Sequence, residues 1–191
     1  MRTGLIGGGF MGEALVSALL KEGVVQASDV TVSDVAEARR EHLSSRYGVG
    51  VTDQNTEAAQ GAEVVVLAVK PQEFSAVAAG LRGRVERKQT LLSIMAGVPI
   101  ERIGRELEHE AVVRAMPNTA AFVGQAMSVW TASEAVSPEG REAAEFGMTR
   151  ATASCPSSST TRPMGTPAMI VTTVWLPSIR PRRSEATAAN S

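Results

Sequence analysis

The sequence is poor in residues that cross-link a chain, bind metals or build aromatic clusters. It contains one cysteine, Cys155, and two histidines, and only 4% of its residues are aromatic. A single cysteine excludes an internal disulfide bond and a metal site built from several cysteines. No apolar run reaches the roughly 20 residues of a membrane-spanning helix. The first residues lack the apolar core and cleavage site of a signal peptide, so we expect a soluble cytoplasmic protein without a metal.

Charge is nearly balanced overall but unevenly distributed along the chain. The net charge of −1 does not favour a nucleic-acid-binding protein. Residues 1–147 carry 14 basic and 19 acidic residues, whereas residues 148–191 carry five arginines, one acid, 15 Ser and Thr, and 5 of the 9 prolines. We therefore expect a folded domain over 1–147 and an irregular, disordered tail over 148–191. Within the tail, the apolar stretch from Met169 to Leu176 is expected to pair as an edge strand.

Before residue 147, short apolar runs alternate with segments of helical periodicity. The spacing predicts strands at Thr3–Gly7, Asp29–Asp34, Gly48–Val51, Val64–Val69, Leu91–Met95, Val112–Met116 and Met127–Thr131. It predicts helices at Phe10–Glu22, Ala36–Tyr47, Asn55–Ala59, Gln72–Leu81, Pro99–Leu107 and Ser137–Phe146. Asn55 or Thr56 is expected to cap the third helix, and Ser137 the last. This alternation is typical of an α/β protein with a parallel, doubly wound sheet.

The first predicted strand leads into a glycine turn that fits the pattern G-x-G-x-x-G. Gly7 permits the tight turn, Gly9 lets the backbone approach a pyrophosphate, and Gly12 lets the helix pack closely on the strand. The N–H groups and dipole of the following helix favour phosphate at its N-terminus. Because the motif lies between a predicted strand and a predicted helix, it indicates a Rossmann-type dinucleotide site.

An acid follows the second predicted strand, where dinucleotide-binding sheets hold the adenosine ribose. Asp34 has this position and favours NAD over NADP. Arg39 and Arg40 lie just beyond it, and either could swing toward the 2′-phosphate of NADP. The alternative, which we favour, is that both arginines lie on a solvated helix face, so the cofactor preference stays open.

Other polar and small residues follow the later strands, at the edge where ligands of such sheets bind. The backbone of Ala68 and Val69 could line the nicotinamide side, and Pro71 would shape the turn. Lys70 is either a general acid, a phosphate contact or a surface lysine. Ala96-Gly97 offers a small surface to a flat ring. Asn118 and Thr119 either hydrogen-bond a cofactor or substrate, or only cap a turn.

The remaining reactive or aromatic side chains give no catalytic constellation. His42 and His109 lie in polar, charged stretches and are expected at the surface. Cys155 is expected to be an idle thiol, and Trp130 and Trp175 to be packing residues. No nucleophile with a paired base is found, so the catalytic residues are unknown.

Four segments together resemble pyrroline-5-carboxylate reductase, the last enzyme of proline synthesis. The resemblance runs from Ile6 to about Phe146, and its most specific element is the Met-Pro-Asn-Thr run at 116–119. The segments are Ile6–Gly12, Val66–Gln72, Ser93–Val98 and Arg114–Ala120. The resemblance implies NADP- or NAD-dependent reduction of 1-pyrroline-5-carboxylate to L-proline, a small-molecule substrate, and a homo-oligomer. It also implies that Asn55 contacts the cofactor.

The motifs and the resemblance together give a candidate cofactor site. Its expected residues are Ile6, Gly7, Gly9, Phe10, Met11, Gly12, Asp34, Asn55, Ala68, Val69, Lys70, Pro71, Ala96, Gly97 and Asn118.

The sequence departs from the family pattern after Gly147. In the family, a second, helical domain with a Ser-Gly-Ser-Gly-Pro-Ala-Tyr type motif holds the substrate carboxylate and forms the dimer; residues 148–191 carry no such motif. We expect a shifted reading frame near codons 147–152, the alternative being a genuine diverged tail. Activity and oligomer are therefore expected to be impaired. The alternative functions are a non-catalytic NAD(P)-binding fragment and another imine or β-hydroxyacid reductase.

Overall fold

The computed structural model describes residues 1–117, 128–141, 158–160 and 169–173. Within these residues, short strands and helices alternate from the first strand onward, as the periodicity predicts. The strands are β1 Thr3–Ile6, β2 Val30–Ser33, β3 Gly50–Thr52, β4 Val64–Leu67, β5 Thr90–Ser93, β6 Val112–Pro117, β7 Ser128–Ala132, β8 Ser158–Thr160 and β9 Met169–Thr173. The helices are α1 Phe10–Lys21, α2 Glu37–Tyr47, α3 Asn55–Ala59, α4 Phe74–Leu81 and α5 Ile100–Leu107.

One sheet holds all the described strands, in the order β3-β2-β1-β4-β5-β6-β7-β9-β8. The first six pair in parallel, with β1 between β2 and β4. This is the strand order of the Rossmann fold, whose switch point lies between β1 and β4. The expected α/β fold class with a doubly wound parallel sheet is confirmed.

An antiparallel section extends the sheet beyond β6. Strand β7 pairs with β6, β9 pairs with β7, and β8 pairs with β9. The apolar stretch of the tail therefore forms a strand as expected, but not at the edge, because β8 lies outside it. Most of the tail lies outside the described residues, so the boundary near residue 147 and the irregular nature of the tail remain predictions.

The core lies in two apolar layers, one on each face of the sheet. Leu5 and Val66 belong to one layer, and Ile6 and Val65 belong to the other. Successive side chains of a strand point to opposite faces, so these neighbours alternate between the layers. The continuous apolar runs in β1 and β4 follow from burial on both faces.

The structure confirms one predicted helix cap and contradicts the other. The Ser137 hydroxyl accepts a hydrogen bond from Gly140 N–H at 3.1 Å, at the start of the helical residues 138–141. Helix α3 instead has Gln54 at its N-cap, without a side-chain hydrogen bond. The reason is that the Asn55 side chain accepts a hydrogen bond from the Ser33 hydroxyl at 2.7 Å.

The expectation of two surface histidines is wrong for His109. Its side chain is 5% exposed, and Nε2 lies 2.8 Å from the carbonyl oxygen of Gln89. Glu108 ends α5 in a left-handed conformation, with φ of 52°, and the chain turns inward there. His42 is partly exposed and contacts a carboxylate, whereas Trp130 is buried as expected. Cys155 and Trp175 lie outside the described residues.

In the part of the chain that the structure describes, no helix has the length and apolar character needed to cross a lipid bilayer.

Candidate functional site

The glycine turn joins β1 to α1 at the carboxyl edge of the sheet. Gly7 has a φ of +101°, which favours glycine, and its N–H donates to the carbonyl oxygen of Ser33 at 2.9 Å. A Cβ atom at Gly12 would lie 2.2 Å from the carbonyl oxygen of Gly7. A Cβ atom at Gly9 would meet no heavy atom within 4 Å. The turn is therefore tight at Gly7, closely packed at Gly12 and open at Gly9.

The open side of the turn faces the N-terminus of α1. Glu13 N–H donates to the carbonyl oxygen of Gly9 at 2.9 Å, which closes the first helical turn. The N–H groups before it precede the first intrahelical bond, and the helix dipole makes this end positive. Phe10, the first helical residue, is 65% exposed. The backbone at Gly9 is therefore open to approach without a side chain in between, beside the positive end of the helix.

Asp34 lies directly beside this turn. One carboxylate oxygen accepts a hydrogen bond from Gly8 N–H at 2.8 Å, and the other accepts one from Ala36 N–H at 2.9 Å. Both bonds fix the carboxylate at the carboxyl end of β2. This is the position from which an acid reaches the adenosine ribose in dinucleotide-binding sheets.

The two arginines of α2 bind backbone carbonyls, so the interpretation that they form a solvated helix face is wrong. Arg39 donates to the Gly8 carbonyl oxygen through Nε and Nη2, at 2.9 and 2.7 Å. Arg40 donates through Nη1 to the carbonyl oxygens of Asp34 and Val35, at 2.8 and 3.1 Å. These hydrogen bonds hold both guanidinium groups beside the glycine turn and the end of β2.

Sequence reasoning missed Glu13, which joins α1 to α2. Its carboxylate accepts hydrogen bonds from Arg39 at 2.7 Å and from the Tyr47 hydroxyl at 3.1 Å, and lies 2.8 Å from His42 Nε2. Burial is the largest single influence and would raise the pKa of Glu13. The hydrogen bonds from Arg39, His42 and Tyr47 outweigh it and lower the pKa to about 2. The spacing of Arg39, His42 and Arg46 along one face of α2 was the available sequence signal.

The segment after β4 forms the opposite wall of the turn. Ala68 N–H donates to the carbonyl oxygen of Ile6 at 2.8 Å, and a Cβ atom at Gly7 would lie 2.9 Å from the Ala68 carbonyl carbon. Lys70 follows, with a 72% exposed side chain whose Nζ lies 3.9 Å from Glu73. Pro71 is exposed.

The other predicted residues are distributed around the same edge. Ala96 and Gly97 follow β5 and are exposed, and Gly97 has a φ of +73°. Asn55 is linked to the edge through Ser33. Asn118 and Thr119 lie outside the described residues. Among the described residues, no group of three or more metal-ligating side chains comes together.

Comparison with known proteins gives several relatives of similar sequence. The chain is 40% identical over 139 residues to a pyrroline-5-carboxylate reductase of Synechocystis; the match covers 73% of this chain and 52% of that protein. The chain thus spans about half the length of the curated relatives it matches.

Among solved structures, proteins of the same name also match this chain over about half of their length. A pyrroline-5-carboxylate reductase from Coxiella burnetii matches at a TM-score of 0.75 with 31% identity, over 79% of this chain and 56% of that one. A Plasmodium falciparum pyrroline carboxylate reductase with NADP bound matches at 0.70 with 19% identity, over 79% and 55% of the two chains. At 19% identity, the second likeness shows the fold alone.

A family model described as NADP oxidoreductase coenzyme F420-dependent matches residues 2–97. The match begins before β1 and ends at Gly97, so it contains the glycine turn, Asp34 and the segment after β4. Since it covers half of the chain, the chain belongs to the NADP oxidoreductase coenzyme F420-dependent family.

Proposed function

We propose that the glycine turn and the adjoining sheet edge bind a nicotinamide dinucleotide, NADP(H) or NAD(H). The observation that carries the proposal is the open space at Gly9, over the N-terminus of α1 and beside the Asp34 carboxylate. Gly7, Gly9 and Gly12 would hold the pyrophosphate with Ile6, Phe10 and Met11, and Asp34 would hold the ribose. The expected nicotinamide-side residues are Asn55, Ala68, Val69, Lys70, Pro71, Ala96, Gly97 and Asn118.

For the whole protein, we propose reduction of 1-pyrroline-5-carboxylate to L-proline. The support is the reductases of this name among the relatives, such as the Synechocystis protein at 40% identity. A bound reduced nicotinamide supplies a hydride, and the protein needs chiefly to orient two rings, because a protonated imine is already electrophilic. The residues after 147 do not carry the substrate motif of the family, so turnover by the 191-residue chain is expected to be strongly impaired.

Two alternatives follow from the same site. The chain could bind a dinucleotide without catalysing a reaction, which the half-length match to the relatives favours. It could also reduce another imine or a β-hydroxyacid, because such enzymes share the glycine turn. We further propose a cytoplasmic location, and a homo-oligomer only if the family's helical domain is present.

The test is a titration of the purified chain with NADH and NADPH, followed by an assay with 1-pyrroline-5-carboxylate. Binding without substrate-dependent oxidation supports the non-catalytic fragment. Slow oxidation that requires 1-pyrroline-5-carboxylate supports the reductase. Oxidation that requires a different imine or hydroxyacid supports the alternative reductase. Failure to bind either dinucleotide contradicts all three proposed functions.

A further inference from the structure

The two neighbouring arginines of α2 are bound in different ways. Arg39 donates to the Gly8 carbonyl oxygen through Nε and Nη2, and the same Nη2 donates to the Glu13 carboxylate at 2.7 Å. Arg40 donates only through Nη1, to the carbonyl oxygens of Asp34 and Val35. Neither Nε nor Nη2 of Arg40 forms a hydrogen bond with the residues that the structure describes.

The positive charge of Arg40 is also uncompensated. The Glu13 carboxylate neutralises Arg39, whereas no carboxylate in the described part of the chain forms an ion pair with Arg40. The partners of Arg40 are neutral carbonyl groups, which hold the guanidinium at the end of β2. The N–H groups of a guanidinium edge are parallel, and their spacing matches two oxygens of a phosphate. The edge formed by Nε and Nη2 of Arg40 is therefore free to bind an anion.

This free edge lies where the adenosine ribose of a dinucleotide is expected. Arg40 is bound to the carbonyl oxygen of Asp34 itself, the acid expected to hold the ribose. The next residue, Val35, is 91% exposed, so a ligand can reach this loop from solvent. In dinucleotide-binding sheets, an arginine near this acid accommodates the 2′-phosphate that distinguishes NADP from NAD.

We propose that Arg40, and not Arg39, binds the 2′-phosphate of NADP(H), through Nε and Nη2. This inference rests on the proposed dinucleotide site. The bonds of Nη1 hold the guanidinium in place before the ligand arrives, so that little side-chain freedom is lost on binding. The charge of Arg40 offsets the repulsion that the Asp34 carboxylate exerts on a phosphate. Arg40 thus makes the site selective for NADP(H), in accordance with the description of the family.

The experiment compares the dissociation constants of NADPH and NADH for the full 191-residue chain, by fluorescence titration. Two charge-assisted hydrogen bonds are expected to make NADPH binding about tenfold tighter than NADH binding. Arg40→Met removes the donors and is expected to weaken NADPH binding by about tenfold, with a much smaller effect on NADH. Arg40→Lys keeps the charge without the paired donors, so its NADPH affinity should lie between those of Arg40→Met and the parent chain.

Two other arginines of α2 provide matched controls. Arg46→Met removes the same charge from a side chain that is 62% exposed, and should leave the ratio of the two dissociation constants unchanged. Arg39→Met removes the bonds to Gly8 and Glu13. It is expected to affect NADPH and NADH alike, because both dinucleotides would share the glycine turn.

A pair of fragments tests the phosphate contact without the nicotinamide. Adenosine 2′,5′-bisphosphate and adenosine 5′-monophosphate differ only in the 2′-phosphate. The bisphosphate is expected to compete with NADPH more strongly, and Arg40→Met should lose that advantage. The advantage should also shrink when salt is added to the parent chain, which tests the charge without any substitution.

Equal weakening of NADPH and NADH binding in Arg40→Met would overturn the proposal. So would a loss of NADPH binding confined to Arg39→Met, or a parent chain that prefers NADH. Absence of binding of both dinucleotides would contradict the proposed function itself, and not the assignment of Arg40 alone.

Discussion

Gly9 and Gly12 lie within one helical turn of each other, yet a side chain would meet different surroundings at the two positions. At Gly9 the space is open, and φ is −68°, a value that any residue adopts. At Gly12 a Cβ atom would lie 2.2 Å from a backbone oxygen that cannot move aside. A substitution at Gly9 should therefore affect ligand binding, and a substitution at Gly12 should affect the stability of the fold.

We expect Gly9→Val to weaken NADH and NADPH binding strongly without changing the thermal unfolding temperature. The reason is that valine would occupy the space through which the backbone approaches the pyrophosphate. Fluorescence titration and a thermal melt measure the two properties. Unchanged binding would remove the glycine turn from the site.

Gly12→Ala is the matched variant, and it is expected to lower the stability of the fold. The added methyl group pushes α1 away from Gly7, at a cost of about 1–3 kcal/mol in the free energy of unfolding. Urea denaturation measures this cost. A variant as stable as the parent chain would contradict the close packing of α1 against the turn.

Individual residues also differ in how far their contacts could be predicted from the sequence. The tight turn at Gly7 and the close packing at Gly12 could be predicted because a local backbone path determines them. Glu13 could not, because its partners Arg39 and His42 lie in another helix, and only the packing of α1 against α2 brings the three together.

Helices α1 and α2 are joined by a carboxylate whose charge should make their contact pH-dependent. The pKa of Glu13 is lowered from 4.5 to about 2, so its stabilising effect is complete above pH 4.5 and is lost as the pH falls toward 2. At pH 7, Glu13→Gln is expected to cost roughly 2 kcal/mol of unfolding free energy. Urea titrations between pH 7 and 2.5 should show the two proteins converging in acid. A difference in unfolding free energy that is independent of pH would show that the charge of the Glu13 carboxylate does not stabilise the fold.

A second link between elements depends on Gln89, just before β5. Its side chain is fully buried; Nε2 donates to the carbonyl oxygens of Ala59 and Ala62 at 2.7 and 2.8 Å, and Oε1 accepts from Glu86 N–H at 2.6 Å. The end of α3 is thereby tied to the loop before β5. Sequence patterns gave no sign of this, since a glutamine in a polar loop is ordinarily exposed.

We expect Gln89→Leu to destabilise the chain by about 2–4 kcal/mol, because it removes three hydrogen bonds, two of them to buried carbonyl oxygens. Gln60→Leu, at an exposed position one residue after α3, is the matched control and should change stability little. Chemical denaturation of both variants measures the difference. Equal stability of the two would contradict a bonding role for the buried amide.

At the scale of the whole molecule, the parallel half of the sheet was predictable and the antiparallel half largely was not. Apolar runs and intervening helices define β1 to β6, because parallel neighbours need a crossover between them. The pairing of β9 with β7 joins residues some 40 positions apart in the chain, such as Ser128 and Thr172. Periodicity predicts that such a strand exists but does not identify its partner.

The origin of residues 148–191 also concerns the whole molecule. The composition changes abruptly inside a predicted helix, and the curated relatives extend to about twice the length that this chain matches. A shift of reading frame would produce both features without altering the dinucleotide-binding part. It would also be compatible with β9, because a sufficiently apolar run can pair at an open sheet edge.

We therefore expect that the gene, read in all three frames through codons 140–191, has a second open frame that continues into a helical segment with the Ser-Gly-Ser-Gly-Pro-Ala-Tyr type motif. The product of that frame should reduce 1-pyrroline-5-carboxylate, whereas the 191-residue chain should bind dinucleotide and turn over little substrate. Both products can be assayed side by side by following NADPH oxidation. If every other frame is closed, the tail is genuine and binding, not reduction, is the activity to pursue.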